Sequence, residues 1–308
     1  MKSVFIPVVL ALVVAAPLAG IAGQQSESRT SRSEVTWIND DGGERMEVRI
    51  REDVHLTDDW SAIASMGPGS SLLVEERTGG TTRSVRAEPG AGGPSYRYSL
   101  NGRPAEFDAR ARAWFSSMLR RAVTEGGLYT HAWAERLLAQ RGPAGLVDEL
   151  PKLKSDHAKS LFIAELTKSG SLDRELTRRV LREIASGVGS DHYKQLGMTS
   201  FAGAPLADPE VRAAYFAAAG TIGSDHYRSV VLGAAIDNHA SDGAVLRGAV
   251  DAAKAIGSDH YKAGVLKKVA ENMGGDTSLR DAILEASRTI GSDYERGQVL
   301  LLIFPRER

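Results

Sequence analysis

The sequence predicts an α+β protein, a small antiparallel β-rich region followed by an α-solenoid of helical hairpins, and three observations lead to this prediction. Residues 35–105 alternate apolar and polar side chains, with turn residues between the runs, which is typical of antiparallel strands. Beyond Asp108 the apolar residues take the spacing of helices. A five-residue motif then recurs at intervals of 34 or 35 residues, which indicates a repeat architecture.

The composition excludes several classes of protein. The 308 residues are 42% hydrophobic and 25% charged, and a chain of this length can bury a substantial core. Because 38 Lys and Arg residues face 39 Asp and Glu residues, the chain lacks the basic excess of a dedicated nucleic-acid binder. There is no cysteine, which excludes disulfide frameworks, thiolate zinc sites and cysteine nucleophiles.

The first 23 residues predict export. A short positive start, Met1-Lys2-Ser3, precedes an apolar run that ends in small residues, as in a secretory signal peptide. We therefore expect a periplasmic or extracellular protein. The alternative is an uncleaved anchor, since the run approaches the ~20 residues needed to span a bilayer, and the membrane is a predicted partner only through it. Residues 24–34 are rich in Ser, Gln and Arg and predict a flexible linker.

Residues 35–105 predict a small β-rich domain built from hairpins. The turn sequences are Asp40-Asp41-Gly42-Gly43, Thr78-Gly79-Gly80 and Asn101-Gly102, and glycine or asparagine provides the positive φ angles that tight hairpins need. We expect one apolar face. Arginines recur along the strands and form either a basic face or a solvated polar side; they are Arg49, Arg51, Arg83, Arg86 and Arg97.

Residues 106–308 predict a helical repeat domain. Apolar residues from Phe107 to Ala122 form one stripe of a first helix, which Asp108 caps and Gly126-Gly127 ends. This helix is expected to cover the apolar face of the sheet. Residues 131–140 and 144–153 predict a shorter pair of helices ahead of the repeats.

The repeats open with a Ser-Asp-His motif. The motif begins at Ser155, Ser190, Ser224, Ser258 and, with tyrosine replacing histidine, Ser292. Each unit of about 34 residues predicts two antiparallel helices, with serine as the N-cap and aspartate in the first turn. The glycine before serine is expected to end the preceding helix in a left-handed conformation; these glycines are Gly189, Gly223, Gly257 and Gly291. One hairpin cannot bury its own apolar face, so neighbours must stack into a solenoid.

The chain resembles exported bacterial helical-repeat proteins of the HEAT-like kind. Through the Ser-Asp-His/Tyr motifs and the Leu56-Thr57-Asp58-Asp59 stretch, residues 34–304 also resemble the extracytoplasmic segment of antirepressor-type sensor metallopeptidases. The resemblance implies a small β domain followed by helical repeats. It implies no peptidase activity, because a His-Glu-x-x-His motif is absent.

Geometry argues against chemistry at the repeated Asp-His pairs. Equivalent histidines on stacked helices lie ~8–10 Å apart, whereas zinc needs each ligand nitrogen at ~2.0–2.1 Å. The sequence therefore predicts no metal site, no cofactor and no catalytic residue. We interpret the aspartate as support for the helix start that pairs with the basic residue three positions later. The candidate partner-binding residues are His157, His192, His226, His260, Tyr294, Lys194, Arg228, Lys262, Leu301 and Phe304.

The predicted function is that of an exported, non-enzymatic scaffold that binds another protein in envelope sensing or assembly, with no nucleic acid bound. The final helix, 292–304, carries an apolar run from Val299 to Phe304. This run either docks a second copy or another envelope protein, or plugs the end of the core. The alternative function is a periplasmic hydrolase with a site between the β domain and the first helix pair, gathering His55, His131 and carboxylates. A purely structural envelope component is a third class.

Overall fold

The computed structural model describes residues 25–31, 34–170 and 172–304; the predicted signal peptide lies outside these residues. It is an α+β structure, with an antiparallel sheet followed by helices. The strands are β1 Gln25–Ser31, β2 Glu34–Asp41, β3 Glu44–Arg51, β4 Val54–Leu56, β5 Ile63–Met66, β6 Ser71–Thr78, β7 Thr81–Gly90, β8 Gly93–Leu100 and β9 Arg103–Ala105. Seven of them form one sheet in the order β1-β2-β3-β6-β7-β8-β9, and β4 pairs with β5 in a separate hairpin.

The predicted hairpins are confirmed. The strands on either side of each predicted turn pair antiparallel as β2–β3, β6–β7 and β8–β9. Asn101 and Gly102 have φ angles of 50° and 76°, the positive values that a type I′ turn requires. Cross-strand neighbours Val48, Val74 and Val85 are fully buried, so one face of the sheet forms a core.

The predicted linker is wrong for most of its length. Residues 25–31 form β1, which pairs along its whole length with β2, and Glu34 already belongs to β2. The sequence of this segment does not predict a strand, because it is polar throughout and lacks the alternation of apolar and polar residues. Its pairing depends instead on the backbone groups that the edge of β2 offers.

The outer face of the sheet is mixed in charge. Arg49 and Arg51 both contact Glu34, at 3.3 and 2.9 Å, and Arg97 pairs with Glu88. Arg83 lies instead on the core-facing side, 3.7 Å from Glu76. These ion pairs favour a solvated polar side over a basic face for the strand arginines.

The helices are α1 Ala109–Thr124, α2 Thr130–Glu149, α3 Asp156–Lys168, α4 Arg174–Gly187, α5 Asp191–Ser200, α6 Pro209–Gly220, α7 Asp225–Asn238, α8 Gly243–Ala253, α9 Asp259–Asn272, α10 Thr277–Ser287 and α11 Asp293–Ile303. Asp108 caps α1 by accepting a hydrogen bond from the Ala111 N–H, as predicted. Phe115 and Leu119 of this helix pack on the apolar face of the sheet. Gly142, at φ 64° and ψ −171°, divides α2 into the two predicted segments, and a short 3-10 turn, Leu150–Lys152, follows.

The remaining helices lie in two rows. Helices α3, α5, α7, α9 and α11 contact one another in succession, and α4, α6, α8 and α10 do the same. A continuous hydrophobic core runs between the rows as far as Ile303. Among the described residues, no helix has both the length and the hydropathy to cross a membrane.

Candidate functional site

Hydrogen bonds between successive repeats organise one edge of the helical region. The Asp225 carboxylate accepts hydrogen bonds from the N–H groups of Gly257 and Ser258, at 3.1 and 2.7 Å. We call these the corner hydrogen bonds. The equivalent aspartates Asp156, Asp191 and Asp259 bind Gly189 and Ser190, Gly223 and Ser224, and Gly291 and Ser292 in the same way. The predicted pairing of these aspartates with basic residues is therefore wrong, because each carboxylate binds the next repeat.

The corner glycines are not left-handed, so that prediction is also wrong. Their φ angles lie outside the positive range. A Cβ atom on Gly257 would instead lie 3.2 Å from Oδ2 of Asp225, and one on Gly223 would lie 3.2 Å from Oδ2 of Asp191. Glycine is suited to these corners because it lets the carboxylate approach the backbone closely.

The basic residues of the motif serve the fold. Lys194 and Lys262 are only 8% and 5% exposed, and their amines donate to the carbonyls of Thr221 and Thr289 at 3.2 and 3.1 Å. These carbonyls follow α6 and α10, where a cation complements the helix dipole. Arg228 is half-buried and donates to the carbonyl of Ala255. The two lysine amines therefore lie below the surface, which corrects their prediction as partner-binding residues.

The histidines form an alternating row of rings with the tyrosines that follow them in the motif. Neighbouring ring centroids lie 5.2 to 5.9 Å apart. We call this row the ring ladder; in order it contains His157, Tyr193, His192, Tyr227, His226, Tyr261 and His260. His192, His226 and His260 are exposed, as predicted. His157 is half-buried, and its burial lowers the pKa of the imidazole, so it gains charge only at a lower pH than an ordinary histidine.

The two ends of the ring ladder differ from its middle. Ala158 replaces tyrosine in the first repeat, so the row begins at His157. In the last repeat Glu295 takes the tyrosine position and binds Nδ1 of His260 at 3.0 Å. Tyr294 takes the histidine position and is exposed. The tyrosine partners of the histidines are not among the predicted site residues, although the recurrence of tyrosine directly after Ser-Asp-His in the middle repeats was a signal for them.

A shallow groove lies beside the ring ladder between α7 and α9. Its volume is about 450 Å³. Val230, Gly233, Gly264 and Tyr261 contribute apolar or small side chains to its lining. At its border Lys268 pairs with Asp237 across the two helices at 2.6 Å. The surface next to the ladder is thus apolar, with balanced charges.

A second groove lies between the sheet and the first repeat. It has a volume of about 540 Å³ and is lined by Trp37, Asn39, Arg121, Glu125, Lys154, Ser155, Asp156, His157 and Tyr193. We call it the corner groove. His157 and Tyr193 belong both to this groove and to the ring ladder, so the two surfaces are continuous.

The apolar run at the end of α11 is divided between core and surface. Val299 and Ile303 are buried against the preceding helices. Leu301 and Phe304 are 55% and 52% exposed. Val299 and Ile303 therefore help to fill the end of the core, while docking through Leu301 and Phe304 stays a prediction.

The residues proposed for a hydrolase have separate partners. His55 contacts Asp53 at 2.7 Å on the β4–β5 hairpin, whereas His131 on α2 contacts Glu135 and Glu165 at 3.2 and 3.1 Å. Within the described ranges, no group of three or more potential ligand residues is arranged to hold a metal ion.

Comparisons with protein-family models, curated proteins and solved structures found no match to this chain. The resemblance carried by the Ser-Asp-His/Tyr motifs stays a prediction. The ring ladder and the two grooves are thus the features from which a function can be inferred.

Proposed function

We propose that this chain is an exported, non-enzymatic scaffold whose helical pairs form an α-solenoid that binds a partner protein along the ring ladder. The observation that carries the proposal is the uninterrupted row of alternating imidazole and phenol rings, in which His192, His226 and His260 are exposed. Export rests on the signal peptide predicted in residues 1–23.

The composition of the ladder edge suits protein recognition. Tyrosine and histidine rings present an apolar body and a polar tip, a combination favoured at interfaces. Leu196 and Val230 add exposed apolar side chains next to the rings. The corner hydrogen bonds hold this edge in place before a partner arrives, which reduces the entropy lost on binding.

The motif charges along the ladder edge are balanced. One aspartate precedes each of the four histidines and one basic residue follows two positions later. Recognition along this edge therefore depends on the rings and their hydrogen-bonding atoms rather than on a net charge.

A photo-crosslinking experiment tests where the partner binds. Benzoylphenylalanine placed at His226 should yield specific adducts from an envelope extract. The same probe at Arg247, exposed on α8 in the other row, serves as the control position. Adducts of equal yield and identity from both positions would contradict binding along the ring ladder.

Replacing His192, His226 and His260 together with glutamine should preserve the fold and weaken partner binding. Surface substitutions usually change stability by less than about 0.5 kcal/mol, so we expect a nearly unchanged melting temperature. Adduct yield at a crosslinker on Tyr227 should be several-fold lower in the triple variant than in the parent chain. A triple variant that fails to fold, or that keeps the adduct yield of the parent chain, would refute the role of these imidazoles.

We also propose that the exposed residues of α11 contact a second copy of the chain. Contiguous exposed apolar side chains commonly mark association sites. Because Leu301 is more than half exposed, Leu301→Glu should abolish self-association in sedimentation velocity while the melting temperature is kept. Arg288→Gln, which lowers the net charge by the same single unit at an exposed site outside this patch, is the control. If the parent chain is monomeric and the Leu301→Glu variant is several degrees less stable, the run only fills the end of the core and the docking proposal is wrong.

A further inference from the structure

At the first repeat corner the backbone N–H of Ser155 has no acceptor among the described residues, whereas the equivalent serine N–H groups of the later corners are hydrogen-bonded. Ser155 is extended, at φ −105° and ψ 144°, in the same region as Ser224, at φ −74° and ψ 120°. At the later corners the serine N–H donates to an aspartate of the preceding repeat. Among the described residues, the Ser155 N–H has no acceptor, and the Lys154 N–H donates to the Thr124 carbonyl at a long 3.3 Å.

A buried amide lines the same groove from the sheet side. Asn39 of β2 is only 7% exposed and lines the corner groove. Its side chain makes no hydrogen bond to the described part of the chain. The amide atoms are not sealed in the core, so they are open to the groove, where a ligand can complete the hydrogen bonding that buried polar groups nearly always have.

Lys154 is the most loosely paired cation of the corner groove. Arg121 is engaged by Glu44 at 2.8 Å and by Glu125 at 3.3 Å. The Asp156 carboxylate is occupied by the N–H groups of the next corner. Lys154 is exposed, and its ion pair with Glu125 is long, at 3.8 Å. The positive end of the α3 dipole adds to the field of this exposed amine.

We propose that the corner groove binds the side-chain carboxylate of an acidic residue from the partner protein. The carboxylate takes, at the first corner, the place that aspartate side chains take at the four later corners. It accepts from the Ser155 N–H and the Asn39 amide, and Lys154 balances its charge. This inference rests on the proposed function, because the groove continues the ring ladder through His157 and Tyr193.

Three acetylated peptides of equal length test the site on the full chain. One contains glutamate and has an amidated end, one contains glutamine and has a free terminal carboxylate, and one contains glutamine and is amidated. In ¹⁵N-resolved NMR the glutamate peptide should shift the Ser155 amide and the Asn39 side-chain signals. A shift from the free-terminus peptide alone would overturn the assignment to a side chain. No shift from either acidic peptide, or an equal shift from the neutral one, would overturn the site.

Two variants measure the contributions to peptide binding. Asn39→Leu should weaken binding of the glutamate peptide about tenfold, as expected for a lost bond to a charged group. Lys154→Gln, at an exposed position that leaves the fold intact, should weaken it about threefold. Lys168→Gln removes an exposed lysine that pairs with Glu165 and should change nothing. The NMR spectrum of Asn39→Leu shows whether this variant is folded. If folded Asn39→Leu and Lys154→Gln both bind the glutamate peptide like the parent chain, the proposal is wrong.

The triple histidine variant separates this inference from the proposed function. It keeps His157 and the whole corner groove, so at pH 7.5 it should bind the glutamate peptide like the parent chain. In the parent chain, specific adducts at His226 without any shift from the glutamate peptide would overturn the groove alone. Peptide binding by the parent chain without specific adducts at His226 would overturn the partner surface alone.

Discussion

Asp225→Ala is expected to lower the free energy of unfolding by about 3 kcal/mol. The carboxylate accepts two charge-assisted hydrogen bonds from Gly257 and Ser258, and bonds to charged groups are worth about 1.5–3 kcal/mol each, reduced here by partial exposure. Denaturant unfolding measures the loss. Hydrogen exchange at the Ser258 amide should accelerate in parallel, because its acceptor is gone.

Asp293→Ala provides a matched control for this prediction. Asp293 holds the same repeat position on α11, but its side chain is 89% exposed and pairs with Arg296 within its own helix. An exposed pair of this kind contributes less than about 1 kcal/mol. We expect Asp225→Asn to fall between the two, since its amide oxygen can still accept. Equal losses for Asp225→Ala and Asp293→Ala would show that the corner hydrogen bonds contribute little.

Gly126→Ala is expected to destabilise the chain by about 3 kcal/mol. A Cβ atom at this position would lie 2.6 Å from the Ala122 carbonyl oxygen and 2.6 Å from the Trp37 ring. Trp37 is a fully buried side chain, so neither neighbour can move freely. Overpacking a filled core typically costs about 1–3 kcal/mol, and contact with backbone places this site at the upper end. Thermal unfolding measures the change.

Gly264→Ala should change stability in the opposite direction. Gly264 lies inside α9 and a Cβ atom there would meet nothing within 4 Å. Alanine is favoured over glycine inside helices by up to about 1 kcal/mol, so this variant should be more stable than the parent chain. If both alanine variants destabilise the protein, the space above Gly264 is filled in solution and the groove beside the ring ladder is not open.

The elements that sequence predicted well depend on neighbours close in the chain. The turn at Asn101-Gly102 and the Asp108 cap are decided within four residues, and both are confirmed. The helix starts at the repeated serines were predicted for the same reason. The serine side chain caps its helix at Ser155, Ser224 and Ser292, but makes no such bond at Ser190 and Ser258.

The features that sequence missed depend on partners one repeat away. Asp225 contacts residues 32 and 33 positions later, so local reasoning paired it with the basic residue three positions along. Lys262 was expected at the surface because a charged side chain seldom lies buried. Its burial depends on a carbonyl at the end of α10, 27 residues later. The open donor at Ser155 could only be recognised by comparing five corners in space.

The corner hydrogen bonds also determine how the helical rows can bend. All four pairs of bonds lie at the N-terminal ends of the odd-numbered helices, the edge that carries the rings, whereas the opposite ends are joined by loops such as residues 201–208. Bending that opens the ring edge must break two hydrogen bonds to a carboxylate at each of these corners, whereas neighbouring loops on the opposite edge are joined by single links such as the His239–Ala202 hydrogen bond. We therefore expect the distance from one imidazole to the next to stay constant when the array flexes. A partner bound along this edge would then meet imidazole side chains at a fixed spacing.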